Sequence, residues 1–330
     1  MKLETKYLGL KLRNPLVVGA SPLCDQPHIA RQLQDAGASA VVMRSLFEEQ
    51  IETEQRALAF HMEAPAECHA EATSYFVRHD EYLFQPDVYL RRIGEYKKTL
   101  TIPVIASLNG CRPGGWIDYA RRFECAGADA IELNLYQLAT DPTISGANIE
   151  AEMLATVASV VQSVKVPVAV KLSPFHTAPA EFVLALEKVG AAGAVLFNRL
   201  YQPDFNLEDL EVNPQIKLSD SSELLLRLRW LAIISPHKRG SLAASGGVHT
   251  AEDVIKALLA GADVVQLVSV LLRYGPQVIS LLLTGLNAWM DDHGYANLDE
   301  LRGAMNLKRC PDASAFERAN YIRILQSWKV

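Results

Sequence analysis

The chain has 330 residues, with 32 Lys and Arg against 38 Asp and Glu, a formal charge of −6, and 49% of its residues are hydrophobic. A chain of this length buries a large core without staples, its mixed charge and hydrophobicity exclude a disordered chain, and its mild acidity excludes nucleic acid as the main partner. The five cysteines (Cys24, Cys68, Cys111, Cys125 and Cys310) form no C-x-x-C pair, which excludes a zinc knuckle and a disulfide framework and fits a reduced, cytoplasmic setting.

The N-terminus carries its charges in the wrong places for a signal peptide. Its apolar run, Pro15–Ala20 (PLVVGA), has strand length. A helix over Ile29–Asp35 follows and runs into the phrase AGASAVVMR at Ala36–Arg44. The interval Phe47–Phe84 is too long for a simple connection and is rich in rings and polar groups, among them His61, His69, Tyr75, His79 and Tyr82. His61, Cys68 and His69 match no common metal-ligand spacing, so no metal site is expected. TIPVIASLN (Thr101–Asn109) reads as a strand behind a proline, and Ile117–Cys125 as a helix.

The first phrase then recurs as AGADAIELN at Ala126–Asn134 and AGADVVQLV at Ala260–Val268, with a looser copy, VGAAGAVLFN, at Val189–Asn198. Each copy reads as a helix ending on a glycine turn, followed by a buried parallel strand. KVPVAVKLS (Lys165–Ser173) repeats the proline-then-strand phrase, and SLAAS (Ser241–Ser245) leads into Gly246-Gly247. Helical patterning covers Ile149–Val164, Pro179–Lys188, Ala251–Leu259 and Val278–Gly294, with further helical cover from Leu298 on. A second long interval, Leu200–Ser222, follows the sixth strand.

Eight strands alternating with helices predict an α/β chain folded as one (β/α)8 TIM barrel over residues 1–330, with long insertions after strands 2 and 6. A doubly wound open sheet is the alternative, but G-A-S-P-L after the first strand is not a dinucleotide fingerprint. The apolar stretch Val264–Leu272 is too short to span a membrane.

In such a barrel the chemistry lies at the C-terminal strand ends. These read Ser21, Arg44, Asn109, Asn134, Lys171, Asn198, Gly246-Gly247 and Ser269, polar groups or glycines after apolar interiors, which predicts a pocket for a polar, anionic ligand. Gly246-Gly247, ahead of a helix, and the strand-eight end Val268-Ser269 predict a phosphate cradle, since glycines admit a close approach to backbone N–H groups and a helix N-terminus favours negative charge. Lys171, entering the pocket from an apolar strand, must be paired or lose its charge.

The sequence resembles the dihydroorotate dehydrogenase family, on the side of the soluble enzymes and the related domain of dihydropyrimidine dehydrogenase. The resemblance spans nearly the whole chain. It is carried by NPLVVGAS (Asn14–Ser21), GADAIELNL (Gly127–Leu135), PVAVKLSP (Pro167–Pro174) and SGGVHTAEDVIKALLAGADVVQLVSVLLRYGP (Ser245–Pro276). It implies one FMN, with the phosphate at Gly246, Gly247, Val268 and Ser269, and the ring lined by Ala20 and Ser21. Arg44 stands where the family has a lysine, Asn109 lies on the pocket rim, Lys171 would lie near the pyrimidine edge of the flavin, and Asn134 and Asn198 would hold flavin and substrate. A homodimer is implied as well.

Where this resembling family continues E-L-N-L with Ser-Cys-Pro, its Cys being the catalytic base, this chain reads Tyr136-Gln137-Leu138. An amide has no acid–base chemistry near neutral pH. The family's Asn-Ser-Met-Gly substrate segment is replaced by T-S-Y-F-V at Thr73–Val77, and Arg199 follows Asn198 where a small residue is common. The expectation is therefore an FMN-dependent oxidoreductase acting on a C–C/C=C bond of a small, anionic or pyrimidine-like substrate, with Lys171 beside the flavin and Tyr136 as proton donor; His79 and Asp80 are weaker candidates. Its electrons would pass to the substrate face or to an unidentified partner protein. Two alternatives stay open at this point: a catalytically silent FMN-binding partner protein, and a flavin-free lyase using Lys171 as a Schiff-base nucleophile.

Overall fold

A computed structural model of the chain describes residues 3–47, 86–110, 116–135, 137–199, 203–213, 217–316 and 319–327. Eight strands run parallel: β1 (Leu16–Val18), β2 (Ala40–Val42), β3 (Val104–Gly110), β4 (Ala130–Leu135), β5 (Val168–Leu172), β6 (Gly193–Leu196), β7 (Ser241–Ser245) and β8 (Val264–Leu267). Each pairs with its neighbours in sequence, and β8 returns to β1 through Val265 opposite Leu16, so the sheet closes. A two-residue strand, Leu46–Phe47, extends the line of β2 and pairs with β3. The predicted (β/α)8 barrel is the observed one.

Helices α1 (Pro27–Asp35), α2 (Pro86–Thr99), α3 (Trp116–Cys125), α4 (Gly146–Ser163), α5 (Pro179–Lys188), α6 (Leu224–Ile234) and α7 (Ala251–Ala260) each follow the strand of the same number. After β8 come the short α8 (Ser269–Tyr274) and α9 (Val278–Asp292). The C-terminal cover consists of Leu298–Leu301, a 3₁₀ turn at Ala313–Phe316 and Ala319–Ser327. α2 and α6 lie where the sequence patterning named no helix. Most of the expected insertion after β2 falls outside the described residues, as do His61, Cys68, His69, Tyr75, His79, Asp80 and Tyr82. The insertion after β6 contains a small hairpin, Asp204–Asn206 with Glu211–Asn213.

The recurrent phrase has two structural jobs. Its glycine takes the left-handed conformation that ends each helix, at φ +118 in Gly37 and +114 in Gly261. The residue after the second alanine pins the preceding strand. The Asp129 carboxylate accepts the Val104 N–H at 2.8 Å, and the Asp263 carboxylate accepts that of Leu242 at 2.7 Å. The repeat is thus a turn plus a strand-end clamp, used more than once around the barrel.

Strand pleating sorts the core into two clusters. Val17, Ala40, Val42, Ile105, Ala130, Ala169, Val195, Ala243 and Val264 fill the lower barrel interior, while their chain neighbours face the helices. The N-terminal hairpin, Thr5–Tyr7 with Leu10–Leu12, plugs this end with Tyr7, Leu8 and Leu12. Its turn places Leu8 at φ +51, strained for a leucine. Burial of the Leu8 side chain and donation of its N–H to Ser241 Oγ at 2.9 Å offset that strain. With the bottom closed, the polar residues of the barrel are confined to its upper half.

Phe123 of α3 is fully buried, with its ring 5.0 Å from that of Tyr89 and 6.4 Å from that of Tyr119. Phe123→Ala is expected to cost about 3–5 kcal/mol in denaturant unfolding, the usual penalty for a large buried cavity. A loss below about 1 kcal/mol would contradict this packing.

Candidate active site

The pleat that makes the lower interior apolar makes the upper interior polar. Continuing inward at every second residue, β3 presents Ser107 and Asn109, β4 presents Glu132 and Asn134, β5 presents Lys171 and β8 presents Gln266. All six are buried. At the centre, Lys171 Nζ lies 3.5 Å from Glu132 Oε1 and 3.4 Å from Gln266 Oε1, and the Gln266 amide donates to Glu132 Oε2 at 2.5 Å. The buried lysine is therefore paired, as its position demands. Beneath them, burial and the Glu132 carboxylate raise the Tyr7 phenol well above its ordinary range.

Two adjoining cavities open above this floor. The larger, about 450 Å³, is lined by Ala20, Ser21, Arg44, Asn109, Asn134, Lys171, Asn198 and Arg199, with Pro22, Ser45 and Phe47. The smaller, about 110 Å³, lies under Gly246, Gly247, Val268 and Ser269 and is also lined by Ser219, Glu223 and Arg227. Ala20, Lys171, Asn198 and Arg199 border both, so Lys171 sits where the two meet. Every described site residue read from the sequence lines one or both cavities; Tyr136 and the weaker candidates His79 and Asp80 lie outside the described residues.

Within the larger cavity, the Asn134 amide donates to Ser45 Oγ at 2.8 Å and Ser107 Oγ at 3.0 Å. Among the described residues its carbonyl oxygen is buried without a partner, and so is the Ser21 hydroxyl. Buried acceptors left unpaired cost free energy unless a ligand satisfies them. Arg44 pairs with Asp25 at 3.1 Å, which restrains the cation at the rim. Burial raises the Asp25 carboxyl, and Arg44 opposes that shift. Cys24, in the same turn, is fully buried, and burial pushes its thiol up to about 12. A neutral thiol of that kind cannot serve as base or nucleophile near pH 7. Gln137, in the base position, is half-buried.

The cradle differs from expectation in one respect. Gly246 and Gly247 do hold left-handed conformations, φ +89 and +77, as a tight backbone approach requires. The α7 N-terminus, however, is already capped. Thr250 Oγ1 accepts the Asp253 N–H, and the Asp253 carboxylate accepts the N–H groups of His249 and Thr250 at 2.9 and 3.0 Å. Those two donors are spent on a carboxylate, which sets an acid beside the α7 N-terminus that the sequence-based expectation did not include. Ser219 occupies the space beside it, with its hydroxyl accepting the Gly247 N–H at 3.3 Å and its N–H donating to Ser269 Oγ at 3.2 Å.

Sequence reasoning missed Ser107, Glu132 and Gln266, although alternation from Asn109, Asn134 and Val268 marks each as inward-facing. It also missed Ser219 and Arg227. LLLRLRWLAII carries two arginines, and the one at helical spacing from Leu224, Leu231 and Ile234, Arg227, was the available signal, because an arginine on the apolar face of a helix must find buried acceptors.

Fold and cleft define a closed parallel barrel with a polar, cation-bearing mouth at the C-terminal strand ends. No family model matches the chain. It is 23% identical over 317 residues to the catalytic subunit of dihydroorotate dehydrogenase B (NAD(+)) from Thermoplasma acidophilum, covering 91% of this chain and 98% of the relative. It is 28% identical over 214 residues to dihydroorotate dehydrogenase A (fumarate) from Lactiplantibacillus plantarum, covering 61% and 67%. It is 23% identical over 336 residues to the NAD-dependent dihydropyrimidine dehydrogenase subunit PreA from Escherichia coli K12, covering 92% and 77%. The chain is a dihydroorotate dehydrogenase-like oxidoreductase.

His249, whose Nε2 lies 3.3 Å from Ser219 Oγ, is held by burial and then by Arg273 below the ordinary imidazole range. The unfolded chain therefore takes up this proton first, so the stability contributed by neutral His249 is present above about pH 6.5 and is lost as pH falls below it. An NMR titration should give a His249 midpoint under about 6.5, and His249→Gln should flatten the acid-side loss of stability. A midpoint above that value would contradict the burial described.

Proposed function

We propose that this chain is a single FMN-binding barrel domain that oxidises or reduces a C–C/C=C bond in a small, anionic or pyrimidine-like substrate. The observation that carries the reading is the joined pair of cavities, one under the Gly246-Gly247 turn and one over Asn109, Asn134 and Arg44, with Lys171 between them. The residues fit the group. The two left-handed glycines let the turn lie close on α6, since a Cβ added at Gly246 would lie 2.8 Å from Arg227 Nη2 and one at Gly247 would strike the Leu224 backbone, and this brings Arg227 to the cavity under the turn. The unpaired Asn134 and Ser21 oxygens await a donor or acceptor in the larger space.

Gly246, Gly247, Val268 and Ser269 would hold the phosphate, and Ala20, Ser21, Arg44, Asn109, Asn134, Lys171 and Asn198 would border the ring. The flavin, when bound, supplies the exchange of a hydride with the substrate carbon. The chain's own residues do the rest. Glu132 and Gln266 fix the Lys171 ammonium, so its charge stands ready for a developing anion without reorganisation. Ser45 and Ser107 fix the Asn134 amide, which orients its carbonyl. Asn134 and Asn198 hold the substrate.

Proton transfer is where this chain departs from the family it resembles. With Gln137 in the base position and Cys24 neutral, Tyr136, next along the chain from β4, is the proposed proton donor, which suits reduction of an activated C=C bond. The pairing of Lys171 with Glu132 disfavours a free amine nucleophile and so disfavours the lyase reading. The domain is proposed to act as a cytoplasmic homodimer, exchanging electrons with its small substrate and with a separate partner. In support, two relatives are named as subunits, and no described helix is long and apolar enough to cross a membrane.

The purified protein should be yellow and carry about one FMN per chain. A colourless protein that takes up no FMN would overturn the reading. Loss of a base of this type costs about 10²–10⁴-fold, so anaerobic dihydroorotate should reduce the bound flavin only slowly; rapid, complete bleaching would show that another group serves. Tyr136→Phe should slow reoxidation by the true acceptor while FMN content stays constant, and an unchanged rate removes Tyr136 from the mechanism.

A further inference from the structure

An anion in the smaller cavity needs a counter-charge, because moving it out of water carries a heavy desolvation cost. The N-terminus of the helix after β7 carries an acid of its own, Asp253, which accepts the N–H groups of His249 and Thr250 and the Ser221 hydroxyl at 2.7 Å. The Gly247 N–H is turned onto Ser219. α8 spans only Ser269–Tyr274, too short to contribute an appreciable dipole.

Lys171 and Arg199 also line the small cavity but pair with Glu132 and Glu223, which leaves one further cation beneath the turn. Arg227 of α6 is 6% exposed and lines the small cavity. Its Nε donates to the Ser245 carbonyl at 2.7 Å and its Nη1 to the Glu223 carbonyl at 2.6 Å. These bonds lock the guanidinium plane and leave Nη2 uncommitted on the side of Gly246. The Glu223 carboxylate acts on it through space but pairs with Arg199 at 3.0 Å. Among the described residues no carboxylate forms an ion pair with Arg227. Burial pulls this guanidinium below its ordinary range, as expected for a cation held without a full counter-charge.

The geometry points to Arg227 as the binding residue for a phosphate monoester, a preformed guanidinium floor under Gly246-Gly247 that supplies the positive charge the capped helix does not. It explains the glycines as well. A side chain at Gly246 would press on the guanidinium, and the absence of one leaves Nη2 open to the ligand. The small cavity, at about 110 Å³, takes a phosphate-sized group, while the ring of the ester must occupy the larger one. Identification of the ester as FMN rests on the function proposed above; the anion site itself does not.

The test is a titration of the apoprotein with FMN, riboflavin and inorganic phosphate, for the native chain, Arg227→Gln and Arg227→Lys. The native chain should bind FMN at least about 10-fold more tightly than riboflavin, and phosphate should compete with FMN. Arg227→Gln should weaken FMN about 10- to 100-fold, the range for a lost charge-assisted hydrogen bond, and leave riboflavin unchanged. Arg227→Lys, which keeps the charge but not the planar fork, should fall between. Circular dichroism and a thermal melt establish that each variant folds. If Arg227→Gln does not fold, the native FMN-to-riboflavin ratio and the Arg227→Lys titration decide. Equal native affinities for FMN and riboflavin, or an Arg227 variant with native FMN affinity, would overturn the assignment. Arg227-dependent phosphate binding without any flavin binding would uphold the anion site and remove the flavin reading; binding of none of the three would remove both.

Discussion

A carboxylate inside a barrel is the constraint on which the upper half of this molecule depends. Glu132 points inward from β4 and is 1% exposed. Ionised and alone, it would carry a prohibitive desolvation cost. Lys171 from β5 and Gln266 from β8 meet it, so one charge ties three strands together across the interior. The pairing stabilises little in net terms, because desolvation offsets much of the attraction. It specifies instead. The ammonium of Lys171 is held at one point, at the junction of the two cavities, and the rest of the cleft is arranged around it.

The same economy governs the cradle. The turn Gly246-Gly247 could have drawn its positive character from the following helix, but Asp253 closes that end. The compensating charge comes from α6, through Arg227, whose other donors are spent on two backbone carbonyls. The insertion after β6 therefore enters the site by way of Ser219, and α6 by way of Arg227. Cations at Lys171, Arg199 and Arg227 face the cavities of a chain whose overall charge is −6. Net acidity and a cationic pocket coexist because the local field at a binding site is set by its own lining.

Much of the architecture was legible before any coordinates. Repeated AGAD-type turns located the helix–strand joints, because a left-handed glycine and a strand-pinning aspartate are local requirements that leave local marks, as at Gly127 and Asp129. The strand-end residues were legible for the same reason. Residues one step deeper were harder. Glu132 looks like an ordinary polar residue in AIELN unless the period of two is carried down from Asn134. Arg227 depends on a contact with Ser245, 18 positions away in sequence, which no local pattern announces. The cap on α7 was visible as Thr250-Ala251-Glu252-Asp253, a Thr followed three residues on by an acid, and it bears directly on how the phosphate cradle works.

The chain has the barrel, the Gly246-Gly247 turn and a cationic floor, and departs from the family it resembles at the proton-transfer position. Under the function proposed above, that combination is a flavin site rebuilt for a different substrate or direction. A crystal structure of the protein grown with FMN tests this most directly. The account predicts phosphate density against Gly246-Gly247 and Arg227, with the ring in the larger cavity beside Lys171. Density for FMN elsewhere, or a small cavity that stays free of phosphate at saturating FMN, would contradict it.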